Sequence, residues 1–243
     1  MTPQELYKQG RLADAISALG AEVRDNPSDA RRRTFLFELL CFAGEWARAD
    51  KQLEVLGQAG PSSELGVMLY RSALFAERQR QDLFAKGEYP KPPQEAAERE
   101  DGRIGTHDGK PFEALTDADP RIGARLELFA AGNYLLLPLE HIASIHIQPP
   151  KRVRDLIWTP AAVRTSASFK GTELGEVLLP VLAPGSWQHA DDAVRLGRAT
   201  VWEERDGIDD FIPVGQKMWL VDDEEVPFLE LRALEFNPAT AAA

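Results

Sequence analysis

The sequence predicts an α+β protein in two parts, a helical repeat domain followed by a mostly β domain with short helices. Residues 1–87 carry apolar side chains at helical spacing, and this pattern returns after 34 residues. Over residues 112–243, short apolar runs alternate with turn residues, as is typical of β-strands. The segment between them, 88–111, is rich in proline, glycine and charge and is predicted to be a linker.

The first two repeat units are "YKQGRLADAISALGAEVRDNPSD" (7–29) and "CFAGEWARADKQLEVLGQAGPSS" (41–63). The matched pairs include Gly10 with Gly44, Ala15 with Ala49, and Leu19 with Leu53. A period of 34 residues is typical of tetratricopeptide repeats, in which each pair of helices buries its apolar faces against the next pair. We therefore predict a tetratricopeptide-like domain over residues 1–87, with left-handed glycines between the helices of each unit.

A third unit begins in the same way but does not repeat the turn. The stretch "SSELGVMLYRSALFAERQRQDLFAKG" (62–87) keeps a helical spacing of apolar residues. Arg78 stands where the earlier units have their turn glycine. This helix is therefore expected to continue and to close the stack.

The C-terminal region contains several short apolar runs separated by turn signals. The run "ARLELFAAGNYLLLPL" is predicted to be a β-hairpin around Gly132 and Asn133. The run "RVRDLIW" is long enough for about one helical turn. The five tryptophans, which include Trp202 and Trp219, are expected to lie in the core.

The charge of the chain argues against polyanionic partners. The net charge is -11, with 12 Lys+Arg against 13 Asp+Glu in residues 1–89 and 16 against 26 in residues 90–243. Nucleic acid and membrane surfaces bind basic patches, so neither is an expected partner. The basic run at residues 31–33 is interpreted as the solvated start of a helix.

The sequence also bears on the compartment. Cys41 is the single cysteine, which excludes an intrachain disulfide. The chain has no secretion signal and no run of about 18 apolar residues, so we expect a cytoplasmic protein.

No motif in the sequence predicts catalysis, a cofactor or a metal site. The glycines of "DGRIGTHDG" lack the flanking strand and helix of a phosphate-binding loop. The alternative is a hydrolase that uses Ser186, His189 and Asp191, which lie close together in "SWQHADD". The favoured interpretation is that Asp191 or Asp192 caps a short helix and that the protein is not an enzyme.

The concave side of the repeat stack is the main candidate for function, because it can accept a partner peptide or helix. The residues predicted to face inward are Tyr7, Arg31, Thr34, Glu38, Phe42, Leu65, Met68, Ser72 and Phe75. The aromatic and methionine side chains are expected to act as apolar anchors, while Arg31 and Glu38 set the direction of the bound helix. The alternative is that these residues pack against a third helix or against the C-terminal domain.

Several blocks of the sequence together resemble the ImpE family, also called TagJ. The blocks are "YKQGRLADAISAL", "DADPRIGARLELF", "YLLLPLEHIASIHIQPP", "RDLIWTPA", and "LPVLAPGS" followed by "DDAVRLGRATVWEE". The resemblance covers the whole chain, and the last two blocks are the most specific to the family.

This resemblance implies a non-enzymatic, cytoplasmic accessory protein of a bacterial type VI secretion system. The resemblance also implies that the protein binds a helix near the N-terminus of the small subunit of the contractile sheath, and so influences sheath assembly or its recycling by the AAA+ unfoldase. The family supplies no catalytic motif to carry over to this sequence. A competing hypothesis is a general adaptor whose acidic C-terminal domain binds a basic protein.

Overall fold

The computed structural model describes residues 1–58, 61–90, 104–171, 173–205, 207–208, 211–222 and 224–237. Five helices come first: α1 (Pro3–Lys8), α2 (Leu12–Asp25), α3 (Ala30–Phe42), α4 (Trp46–Gly57) and α5 (Pro61–Lys86). Strands, 3-10 turns and one further short helix, α6 (Asp192–Arg195), follow in the described residues. The chain is therefore helical first and mostly β afterwards, as the sequence predicts.

Local sequence sets the ends of the first helices. Thr2 and Glu5 form a capping box at the start of α1. The Asp29 carboxylate accepts the Arg31 and Arg32 backbone N–H groups at the start of α3. Gly10 and Gly44 separate the helices of each pair with φ of 78° and 69°, which confirms the left-handed conformation predicted for them.

The repeated small and apolar residues lie where the helices pack. Ala15, Leu19, Ala49 and Leu53 are all buried in one cluster. Helix α5 continues without a break past Arg78, as the missing glycine predicts. Its 26 residues place one face against the helices and another against the strands.

The strands form one large and two small antiparallel sheets. They are β1 (Gly105–His107), β2 (Lys110–Phe112), β3 (Leu115–Asp117), β4 (Arg125–Ala130), β5 (Asn133–Pro138), β6 (Ile142–Ile147), β7 (Trp158–Thr165), β8 (Gly175–Pro180), β9 (Thr200–Glu203), β10 (Ile212–Gly215), β11 (Met218–Val221), β12 (Glu224–Pro227) and β13 (Ala233–Phe236). The large sheet has the order β2-β1-β13-β6-β7-β8-β4-β5, and the small ones are β12-β11-β3 and β10-β9.

The predicted hairpin and the predicted helical turn are both present. Strands β4 and β5 pair from Arg125 opposite Pro138 to Ala130 opposite Asn133. The turn residues are Ala131 and Gly132, one position before the predicted Gly132 and Asn133, and their φ of 49° and 80° are those that a tight hairpin turn requires. The stretch "RVRDLIW" contains a 3-10 turn at Val153–Leu156.

The helices and the large sheet share one apolar core. Phe129, Trp158 and Leu178 of the sheet belong to the same buried cluster as the helical residues. The rings of Phe37 and Trp158 are 6.3 Å apart. A second cluster between the large sheet and the three-stranded sheet contains Trp219 and Phe228. The two parts are thus joined through buried side chains as well as through the chain.

The structure differs from the sequence prediction in two places. Strand β1 lies within the predicted linker 88–111, and β2 begins in it and ends one residue after it. Strand β1 pairs with β13 and with β2 in the large sheet. Residues 91–103 of that linker lie outside the described residues. Trp202 is 36% exposed on β9, so its predicted place in the core is wrong, whereas Trp219 is buried as predicted.

Candidate partner-binding surface

Helix α5 presents a row of large apolar side chains to solvent. Leu65, Met68, Leu69 and Phe75 have exposed fractions of 78%, 66%, 50% and 56%. Spacings of three, four and seven residues place these side chains along one side of the helix. Exposed apolar side chains grouped in this way are typical of protein interaction sites.

A groove runs beside this row, between α5 and the β4–β5 turn. Met68, Ser72 and Phe75 lie on the helix side and residues 131–133 on the other side, around a volume of about 640 Å³. Gly132 brings the turn close to the helix, because a β-carbon added there would lie 3.5 Å from the Ser72 β-carbon. The groove therefore combines an apolar wall with backbone groups of a tight turn.

The opposite face of α5 is held by a buried ion pair. Arg80 donates from Nε and Nη2 to the two carboxylate oxygens of Glu127 on β4, at 2.7 and 2.9 Å. The Tyr134 hydroxyl donates to the same carboxylate at 2.8 Å. One turn earlier on α5, Glu77 accepts from Arg80 and from Trp158 Nε1. These contacts fix the helix to β4 and β7 of the large sheet, and Tyr134 on β5 supports the Glu127 carboxylate.

Lys217 connects the Arg80–Glu127 pair to Asp117 on β3, a strand of the three-stranded sheet. Its Nζ lies 2.6 Å from Asp117 Oδ2 and forms a second ion pair with Glu127. Arg80, Asp117, Glu127 and Lys217 all have side chains at most 3% exposed. Buried charges of this kind are tolerated only when they are paired and hydrogen-bonded. We refer to these four residues with Glu77 as the buried charge cluster.

Burial and pairing shift the pKa values of this cluster in opposite directions. Burial raises the pKa of Asp117 to about 6, against the attraction of Lys217. Burial would also raise the pKa of Glu127, but the charges of Arg80 and Lys217 outweigh it and hold that pKa well below its usual range. Burial disfavours the charge on Lys217, yet its two carboxylate partners raise its pKa.

The second repeat unit does not offer the open groove that the sequence predicts. Glu38 is buried, and its carboxylate pairs with Arg154 at 2.9 Å. Arg31 is exposed and Thr34 is half-buried, and both line a cleft with residues 152–154. The C-terminal part of the chain therefore covers this face of α3, which was the alternative left open by the sequence.

Two predicted apolar anchors also lie elsewhere. Phe42 is completely buried in the core, so its predicted place in a partner-binding groove is wrong. Tyr7 is half-buried, its ring is 5.7 Å from that of Phe35, and the Arg198 guanidinium lies 4.9 Å above it. The structure brings Leu65, Met68, Ser72 and Phe75 together on α5 but separates them from the predicted residues of the first two units.

Ser186, His189 and Asp191 do not form a triad. The buried Ser186 hydroxyl donates to the Ala183 carbonyl at 2.6 Å and accepts from Gly215 N–H. His189 Nδ1 accepts the Asp191 backbone N–H. The Asp191 carboxylate caps α6 by accepting Ala193 N–H, as the favoured interpretation predicts. Each side chain is therefore engaged in local structure.

Two further properties of the described residues concern metal ions and membranes. Within the described ranges, no group of three or more His, Cys, Asp or Glu side chains is arranged to hold a metal ion. None of the helices in that part of the chain combines the length and the apolar composition needed to cross a lipid bilayer.

The buried charge cluster was not identified from the sequence. Its members come from four separate segments, and Glu77, Arg80 and Lys217 stand among other charged or polar residues. Glu127 is the one member with a recognisable signal, because it is a carboxylate inside the apolar strand pattern "RLELFA". A charge at such a position indicates a buried partner but does not identify it.

Comparison with known proteins agrees with this architecture. Residues 109–235 match the profile of the family described as ImpE protein. The chain is 36% identical over 273 aligned positions to the type VI secretion system accessory component TagJ of Pseudomonas aeruginosa, with 99% of this chain and 93% of that protein covered.

A solved structure shows the same fold. The crystal structure of protein VPA1032 from Vibrio parahaemolyticus superimposes with a TM-score of 0.82 at 24% identity, with 97% of each chain covered. At this identity the likeness concerns the fold alone. Since the family profile covers half of the chain and the 36% identity extends over nearly all of it, the chain belongs to the ImpE/TagJ family.

Proposed function

We propose that this chain is a non-enzymatic, cytoplasmic accessory component of a bacterial type VI secretion system. In this proposal it binds the N-terminal helix of the small sheath subunit and thereby modulates sheath assembly or recycling by the AAA+ unfoldase. Its membership of the ImpE/TagJ family and its likeness to a secretion accessory component support this role. A tetratricopeptide-like character of the helical part belongs to this proposal, and the packing of α1 against α2 and of α3 against α4 supports it.

The exposed apolar face of α5 is the observation that carries this proposal. An amphipathic helix binds by placing apolar residues at helical spacing into a complementary apolar groove. Met68 and Phe75 provide such a wall, with the exposed Leu65 next to it on α5, and the β4–β5 turn provides a second wall. The proposed site is thus narrower than the nine residues predicted from sequence, and it lies on the third repeat unit.

The C-terminal part serves in this proposal as the scaffold of the site. The buried charge cluster fixes one face of α5 to β4, and the β4–β5 turn forms the far wall of the groove. A helix held on one face and exposed on the other keeps the apolar row in a fixed orientation. Domains 1–87 and 112–243 would then act as one binding unit.

Isothermal titration of the full-length chain with a synthetic peptide of the sheath small subunit's N-terminal helix tests the proposal. Met68→Ala and Phe75→Ala should each weaken binding by roughly tenfold or more, because central apolar anchors account for most of the affinity. Since both side chains are more than half exposed, thermal stability should change little. Trp202→Ala, which removes an exposed aromatic side chain on β9, is the matched control.

The outcome also separates the alternatives. If neither α5 variant changes the affinity for the peptide, the α5 site is wrong. The adaptor alternative binds a basic protein through the acidic C-terminal part. Its affinity for that basic protein would fall when Glu224 and Glu225, both exposed on β12, are changed to glutamine. A hydrolase would lose turnover in Ser186→Ala, whereas the proposed function requires no turnover in any variant.

A further inference from the structure

A second cleft, separate from the α5 groove, lies between the start of α3 and the 3-10 turn that follows Arg152. Arg31, Thr34 and Phe35 form its α3 side, and Arg152 and Val153 form the other. The cleft encloses about 460 Å³ and opens to solvent. It joins two segments that are more than a hundred residues apart in the sequence.

The residues that line this cleft include three arginines and one carboxylate. Glu38, the one carboxylate among the lining residues, is already paired with Arg154 at 2.9 Å. Arg154 is further enclosed by Tyr70, whose ring lies 4.7 Å from the guanidinium. Arg31 and Arg152 are exposed, and in the described part of the chain neither has a carboxylate within 4 Å of its guanidinium.

The two arginines that follow Arg31 on α3 are, by contrast, engaged within the chain. Arg32 pairs with Glu22 and Asp29, and Arg33 donates to Gln52 and to the Pro27 carbonyl. Asp155, the acidic residue next to the cleft, is buried and accepts the backbone N–H groups of residues 151 and 152. The exposed guanidinium groups of Arg31 and Arg152 therefore remain available to an anionic ligand, on a chain whose net charge is -11.

The shape and charge select among anionic ligands. An extended polyanion such as nucleic acid needs many more cations along its length than the few arginines of this cleft. Two guanidinium groups match two carboxylates, because arginine binds each carboxylate through paired N–H groups. The half-buried Phe35 and Val153, which line the same cleft, offer contact to one apolar side chain.

We propose that this cleft is a second docking site, which binds a short acidic segment of a protein partner. The segment carries two carboxylates, which pair with Arg31 and Arg152, on either side of an apolar side chain that rests on Phe35 and Val153. This site goes beyond the proposed binding of an apolar helix face, and it uses none of the α5 groove residues.

A titration followed by backbone amide NMR tests this site on the full-length chain. The probe is a capped peptide with one glutamate on each side of a leucine, in about 50 mM salt so that screening is weak. The expected result is a change of the amide signals of residues 30–38 and 151–156. Arg31→Gln combined with Arg152→Gln should weaken binding at least about fivefold, while Arg24→Gln, an exposed arginine outside the cleft, should not.

Matched probes separate the proposed ligand from a general anion. The same peptide with glutamines should bind at least about tenfold more weakly, and inorganic phosphate at equal concentration should not displace the acidic peptide. Equal binding by the double variant, or full displacement by phosphate, would overturn the proposal. Met68→Ala should leave the acidic peptide's affinity unchanged, so failure at this cleft is distinct from failure at α5.

Discussion

The guanidinium of Arg80 on α5 binds both carboxylate oxygens of Glu127 on β4, at 2.7 and 2.9 Å, with each side chain 1% exposed. This contact joins the helical part to the large sheet. On the same helix, the Phe75 side chain is exposed to solvent. The position of the candidate binding surface therefore depends on a charge pair that lies behind it.

Removing one member of this pair should strongly destabilise the protein. Arg80→Met leaves Glu127 buried with only Lys217 as a cationic partner, and we expect a loss of about 3 to 5 kcal/mol in the free energy of unfolding. Urea denaturation followed by circular dichroism measures it. The matched control is Arg71→Met on the same helix, whose exposed pair with Asp50 should contribute less than about 1 kcal/mol. Equal losses in the two variants would contradict a special role for the buried pair.

The pH dependence of stability should report on Asp117. Its pKa in the folded state, about 6, lies above the ordinary 3.8, so the folded state binds the proton more tightly than the unfolded state does. The contribution of Asp117 to stability is therefore fully present below pH 4 and is lost as the pH rises through about 6. Between pH 4.5 and 7 this loss should amount to about 2 kcal/mol.

Asp117→Asn isolates that contribution. The variant should lose the corresponding part of the slope in a plot of unfolding free energy against pH from 4.5 to 7. Glu38, whose pKa burial also raises, contributes with the same sign and remains in the variant. The lowered pKa of Glu127 acts in a different window, because the stability from it is lost only as the pH falls below its ordinary 4.5. An unchanged slope in the variant would show that Asp117 titrates normally.

The two turn glycines of the repeats should differ in their tolerance of alanine. Both have positive φ, which costs an L-residue roughly 1 to 2 kcal/mol. A β-carbon at Gly44 would lie 2.3 Å from the Trp187 ring, whereas at Gly10 the nearest atom is the flexible Arg198 guanidinium at 3.7 Å. Gly44→Ala should therefore lower the melting temperature clearly more than Gly10→Ala. Equal shifts would mean that Trp187 moves aside without cost.

Three tryptophan variants should separate packing from hydrogen bonding. Trp219→Ala removes a fully buried ring beside Phe228 and should cost about 3 to 5 kcal/mol, while Trp202→Ala should cost less than about 1 kcal/mol. The Trp219 indole N–H is buried without a hydrogen-bond partner among the described residues. Trp219→Phe should thus cost less than about 2 kcal/mol, because it removes an unsatisfied donor along with some packing. Chemical denaturation of the three variants measures these differences.

The sequence by itself determined the features that depend on neighbouring residues. The turn conformation of Gly10 and Gly44, the unbroken α5 and the β4–β5 hairpin were all predicted, because glycine tolerance, helical spacing and turn chemistry act over a few residues. The cap of α6 by Asp191 belongs to the same class. The family resemblance also followed from short blocks of sequence alone.

The tertiary structure alone decided which faces of the helices are open. Phe42 and Glu38 satisfy the repeat pattern for inward-facing positions, but the core and Arg154 cover them. Met68 and Phe75 satisfy the same pattern and remain exposed, because α5 contacts the sheet through Glu77 and Arg80 on another face. A repeat period fixes which residues share a side of a helix, whereas what covers that side depends on segments far away in the chain.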